Sequence, residues 1–209
     1  MTKMELIQAL CRDFQQNSVE LIVLRKSGRI PGQLTLAEDI DILCHRQGRE
    51  KIKRIFKAHG FLFTSEDVTE NIYLYGSFPH DYFTHQQAAI CFDAAYSLSY
   101  RSLNRGEWIP VSGSIQRSIW EHKRHNNFFF VPSETDELLH LICHCLLDKR
   151  AVDAYYEKRI GELFAKAQQK ELAVMLEKIF QKFSPRIVEL ISGGDQSRLF
   201  EEYITFRDY

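Results

Sequence analysis

The sequence predicts an α+β fold: a small mixed or antiparallel sheet with flanking helices, followed by a C-terminal helical subdomain. Two observations carry this. Strand-like apolar runs crowd the stretch from Val19 to Val131, bracketed by two amphipathic helices and lacking regular βαβ alternation. From Ser133 the apolar residues recur at helical spacing instead. The expected boundary falls between an α/β domain over 1–132 and a helical subdomain over 133–209.

Taken in order, Lys3 to Asn17 places Leu6, Ile7, Leu10, Cys11 and Phe14 on one helical face. Val19 to Leu24 is rich in β-branched residues and reads as a buried strand. A basic, glycine-containing loop follows, Arg25-Lys26-Ser27-Gly28-Arg29-Ile30-Pro31-Gly32, and then a strand ending near His45. Arg49 to His59 is a short helix with Gly60 as its stop. Strands are expected over Phe61 to Thr64, Ile72 to Phe78, Tyr82 to Thr84 and Ala88 to Ala94, with a further short one at Trp108 to Val111, and Phe128 to Val131 is an apolar strand or docking segment. Ser133 is a natural N-cap after Pro132, and helices fit Val152 to Gln168, Glu171 to Phe183, Pro185 to Ile191 and Ser197 to Phe206. A sheet-bearing part joined to a helical part makes a small-molecule cleft the expected binding place.

The totals narrow the function. A chain of 209 residues with a formal net charge of -1 has no electrostatic footprint for bulk nucleic acid or a membrane surface. Small-molecule or protein substrates are therefore expected. The five cysteines lie in apolar surroundings without framework spacing, which predicts reduced thiols and a cytoplasmic setting. No apolar window is long enough to span a membrane, and the first residues carry acid where a signal peptide would not.

Chemistry concentrates in Glu38-Asp39-Ile40-Asp41-Ile42-Leu43. Strand side chains alternate between faces, so Asp39 and Asp41 project together while Ile40 and Ile42 enter the core. Like charges that close need a cation or hydrogen-bond donors between them, and Mg²⁺ is the economical choice. Asp93, inside the apolar run Ala88-Ala89-Ile90-Cys91-Phe92-Asp93-Ala94, is the preferred third acid, with Asp81 and Glu66 as alternatives in more polar stretches. His140 and His144 share a helical face near Cys143 and Cys145, but no second ligand pair stands at matching spacing, so a packed or cleft-lining pair is expected rather than zinc.

Val23-Leu24-Arg25, Ile30-Pro31, Asp39-Ile40-Asp41-Ile42-Leu43, Phe92-Asp93 and the helical run Leu138 to Lys149 together resemble the nucleotidyltransferase superfamily with the DNA polymerase beta-like fold, and within it the uncharacterised bacterial nucleotidyltransferase-like families. The resemblance runs from about the first helix to the third-last. It implies that Asp39, Asp41 and Asp93 hold two Mg²⁺ ions, and that a nucleoside monophosphate passes from an NTP to a small molecule, sugar or protein. Where the superfamily carries a Gly-Ser pair after the first strand, this chain reads Leu24-Arg25-Lys26-Ser27-Gly28-Arg29. Ser27 and Gly28 are then expected to form a replacement phosphate nest, with Arg25, Lys26 and Arg29 supplying charge. Lys149 is a further phosphate-binding candidate, although a lysine closing a helix is also favoured by the helix dipole. Two other readings remain open: a catalytically idle nucleotide-binding or partner-binding module of the same fold, and a metal-dependent glycosyltransferase.

Overall fold

The structure is a computed structural model, described over residues 2–25, 39–126 and 128–207. Its fold is α+β with a mixed sheet. The chain divides into two compact units: one runs to Ser99 and takes in Trp108–Pro110 and Lys123–Val131, and the other comprises Tyr100–Glu107, Val111–His122 and the chain from Pro132 onward. Among the described residues no helix is long and apolar enough to cross a membrane.

The first unit opens with α1 (Lys3–Gln16), which starts where Thr2 and Glu5 form a reciprocal capping box. Its sheet is built from β1 (Leu21–Val23), β2 (Asp39–Cys44), β3 (Leu62–Ser65), β4 (Asp81–His85) and β5 (Ile90–Ala95), completed by β8 (Arg124–Asn126) and β9 (Phe129–Val131). The order is β3-β4-β5-β2-β1-β9-β8. β2 runs parallel to β5 and β1 parallel to β9, and the other neighbours are antiparallel. Helix α2 (Arg49–Ala58) follows β2 and ends before Gly60, whose φ of +80° suits a residue without a Cβ.

One face of the sheet is closed by α1 and α2. Leu6, Leu10 and Phe14 of α1 and Ile52 and Phe56 of α2 share a single apolar cluster with Ile40, Ile42, Phe83 and Phe92 of the strands. Phe56 stacks on Phe83 at 4.1 Å between ring centroids and meets Phe14 and Phe61 edge-on. Fixing those strand residues inward fixes the opposite parity outward, and the outward set is the acidic one.

The segment Ile72 to Phe78 is not a strand. It carries one isolated bridge, Tyr73 to Trp108, and Tyr75 and Gly76 both take left-handed backbone, at φ +52° and +84°. Two successive residues of that conformation turn the chain and end any ladder. Short strands β6 (Ser99–Arg101) and β7 (Trp108–Pro110) follow, and then α3 (Gly113–Glu121), a helix not expected from the sequence.

The second unit is helical apart from short strand segments. α4 (Glu134–Cys143) begins at Ser133, whose hydroxyl accepts the Asp136 N–H at 3.1 Å. It runs on into a π-helical turn, His144–Lys149, that stops at Arg150 in left-handed conformation. α5 (Ala154–Phe164), α6 (Gln169–Phe180), α7 (Ser184–Gly193, with Pro185 in its first turn) and α8 (Leu199–Thr205) complete it.

Candidate functional site

The register of the parallel pair β2 and β5 builds the site. Asp41 stands opposite Asp93, and Asp39 opposite Cys91. Ile40 and Phe92, 2 % and 0 % exposed, are held in the apolar cluster, so the alternate residues Asp39, Asp41 and Asp93 all project from the other face. Carboxylates more than fifty residues apart in the chain thus become neighbours on strands separated by about 4.8 Å. The three acids expected to act together do share one face.

Two basic side chains meet the acid pair. Leu24 donates its backbone N–H to the Asp41 carbonyl at 2.9 Å, which brings Arg25 alongside. The Arg25 guanidinium then grips the Asp41 carboxylate in a fork: Nε donates to Oδ2 at 3.0 Å and Nη2 donates to Oδ1. Both side chains are 15 % exposed, so water screens this pair less than it would on an open surface. At Asp93 the neighbour is His80, with Nδ1 2.8 Å from Oδ1. Asp93 Oδ1 is buried, with the His80 ring as its close polar neighbour. Burial alone would lower the His80 pKa, but the Asp93 carboxylate outweighs it, helped by Glu66 and Asp41, and the imidazole is held above its ordinary 6.5.

His80 carries no motif of its own in the sequence. The signal was there: once Phe83 is recognised as core, alternation sends Tyr82 and His80 to the acid face. Tyr82 is the register neighbour of Asp93 on β4. Cys91 lies between the acids on the same face; burial raises its thiol pKa and Asp39, Asp93 and Asp41 raise it further, so it remains a thiol rather than a thiolate.

The alternative third acids do other work. Asp81 has the opposite parity and is fully buried, accepting two hydrogen bonds from Arg49 at 2.7 and 2.8 Å, one from Tyr96 at 2.7 Å and one from Ser65. Glu66 accepts from the Tyr73 hydroxyl and from the His80 backbone N–H at 3.4 Å. Lys149 belongs to the second unit, where it pairs with Asp153 at 3.1 Å and lies over the Tyr156 ring. His140 and His144 are packed as expected: Tyr100 Oη is 2.7 Å from His140 Nδ1, and Asp148 is 3.4 Å from His144 Nδ1. Lys26, Ser27, Gly28 and Arg29, expected to form the phosphate nest, lie outside the described residues.

Carboxylate oxygens are the donors Mg²⁺ takes, and a buried carboxylate oxygen such as Asp93 Oδ1 is one that a cation completes. In donor chemistry and shared face these residues fit a divalent ion. As they stand, Asp41 is occupied by Arg25, and among the described residues no three His, Cys, Asp or Glu side chains are gathered to hold one.

No family model, curated protein or solved structure matches the chain.

Proposed function

We propose that the acid face binds a nucleoside triphosphate with Mg²⁺ and transfers its nucleoside monophosphate to a hydroxyl or phosphate of a small molecule, sugar or protein. The observation that carries this reading is the register pairing of Asp41 with Asp93 on parallel strands, with Asp39 one alternate position along the same face. Asp39, Asp41 and Asp93 would hold the metal, which would neutralise phosphate charge and align the reacting oxygens when bound.

The chain's own residues supply the rest. Strands backed by a packed aromatic core hold the carboxylates at fixed spacing, which a reaction catalysed by positioning requires. Arg25 brings a permanent positive charge to the edge of the acid pair, where a phosphate would lie. An Asp93 carboxylate oxygen would accept the proton of an acceptor hydroxyl, and His80, 2.8 Å from it, would limit how that carboxylate turns.

One observation favours a second reading, a catalytically idle nucleotide-binding or partner-binding module. Arg25 on Asp41 and His80 beside Asp93 already compensate the acids without any metal. Isothermal titration with each NTP, with and without Mg²⁺, separates the possibilities when repeated on the Asp39→Asn/Asp41→Asn double variant. Mg²⁺-dependent binding lost in the double variant supports the donor site, and pyrophosphate release with an acceptor then supports transfer. Absence of binding under every condition overturns the nucleotide reading.

A further inference from the structure

We propose that the outer edge of β3 pairs two copies of this chain, antiparallel about Thr64, into a weak dimer with one continuous sheet. The inference goes beyond the nucleotide reading and stands without it.

The two ends of the sheet are built differently. β8 carries Arg124, His125 and Asn126, basic and polar residues of the kind that blunt an edge. β3 reads Leu62-Phe63-Thr64-Ser65, with no charge and no proline, and all four residues are exposed. The Glu66 N–H donates to the His80 carbonyl at 2.9 Å, so Thr64 and Leu62, in the same phase, turn their N–H and C=O groups to β4. Phe63 and Ser65 turn theirs the other way, where no strand lies among the described residues. Apolar exposure falls in the same stretch: Leu62, Phe63, Val68, Ile72 and Tyr75 are five of the nine large apolar side chains exposed among the described residues, which marks an interaction surface.

The charges point to a second copy as the occupant. α2 ends against the start of β3, where the Gly60 N–H donates to the Lys57 carbonyl at 3.0 Å and the Phe61 N–H to the Phe56 carbonyl at 3.1 Å. Lys57 is therefore exposed just before the strand, and Asp67 and Glu70 are exposed just after it. Antiparallel pairing sets the start of one strand against the finish of the other, so the lysine of each copy meets the acids of the other. Near the centre, Lys53 lies over the Phe63 ring at 4.3 Å, and Glu50 balances its charge at 3.2 Å. Pairing Phe63 with Ser65 of the second copy, twice over, uses every outward backbone group of both residues and puts Thr64 on the two-fold axis. That axis stands normal to the sheet, so α1 and α2 of both copies share one side and both acid faces the other. Four residues of edge bury less than a permanent dimer needs, which makes the association concentration-dependent.

The test is sedimentation equilibrium of the full chain from about 1 to about 300 µM, the range of a weak interface. It compares wild type, Thr64→Lys, Thr64→Glu and an equimolar mixture of the two variants, with circular dichroism to check that each folds. The wild-type mass should climb from that of one chain toward that of two across the range. Each variant alone sets like charges face to face on the axis and should need roughly 5-fold more protein for the same association. The mixture sets lysine against glutamate and should associate more tightly than either variant by itself. Hydrogen exchange on wild type carries the test if the variants do not fold: raising the concentration should slow the Phe63 and Ser65 amides and leave Arg124 to Asn126 unchanged. A wild type that stays one chain throughout overturns the proposal, and so do folded variants that associate like wild type or a mixture no tighter than its components. Slowing at β8 in place of β3 overturns it equally.

Discussion

Asp81 and Asp93 occupy neighbouring strands, yet they answer to different demands. Asp81 is fully buried and held by Arg49, Ser65 and Tyr96, so removing it leaves a guanidinium and a phenol without their acceptor. Asp81→Ala is expected to cost about 3 kcal/mol by urea unfolding, as for other broken buried pairs. Asp93→Asn should change stability far less while abolishing any Mg²⁺-dependent turnover. The two variants thus separate a carboxylate that holds the fold together from one that the proposed function uses. Acidity gives a second check. Burial alone would raise the Asp81 pKa, but bonds from Arg49, Ser65 and Tyr96 outweigh it and hold the group below its ordinary 3.8. A depressed folded pKa stabilises the protein above pH 3.8 and withdraws that support as pH falls through the lower folded value. Unfolding midpoints measured from pH 6 to pH 2 should therefore drop more steeply in wild type than in Asp81→Asn. At this scale the sequence showed Asp39, Asp41 and Asp93 through apolar flanks, because a carboxylate amid core residues is conspicuous. Arg49 and His80 were hidden: each is an ordinary polar residue in a polar stretch, and only tertiary contact gives it a role.

Elements were legible where local chemistry decides them. The cap at Ser133 could be read directly, since a hydroxyl after Pro132 and before an apolar period has few other uses. Asp136 shares that cap, accepting from Ser133 at 2.6 Å and from Ser118 of α3 at 2.7 Å. Ser133→Ala should lower stability by about 1 kcal/mol, read as a shift in the unfolding midpoint. Asp136→Ala should cost more, because it also removes the acceptor that buried Ser118 reaches at 2.7 Å and leaves that hydroxyl only His122, at 3.2 Å. Elements decided by partners were harder. Ile72 to Phe78 is apolar enough for a strand, but Tyr75 and Gly76 turn the backbone out of one. α3 carries Ile115 and Ile119 on one face, a helical spacing too short to stand out between two strands.

For the molecule as a whole, what sequence could not supply was strand order. Local periodicity identifies β2 and β5 separately, whereas their parallel pairing depends on everything between them packing first. Sheet order also ranks local stability. β5 and β2 are flanked on both sides, while β3 and β8 end the sheet and all their residues are exposed. Hydrogen exchange on the dilute, monomeric chain should find the amides of β2 and β5 among the slowest and those of β3 and β8 among the fastest in the sheet. Comparable protection across all four strands would contradict this order.

The alternation that places Phe92 inward and Asp93 outward also limits which changes of length the gene tolerates. One codon inserted within β5 between Ile90 and Phe92 would exchange the two faces from that point on, sending a carboxylate toward the aromatic cluster and a phenylalanine toward the acids. Insertion of two codons would restore the parity and only slide the strand. Core and candidate site are written in one reading frame of twos, so neither can drift in length without the other.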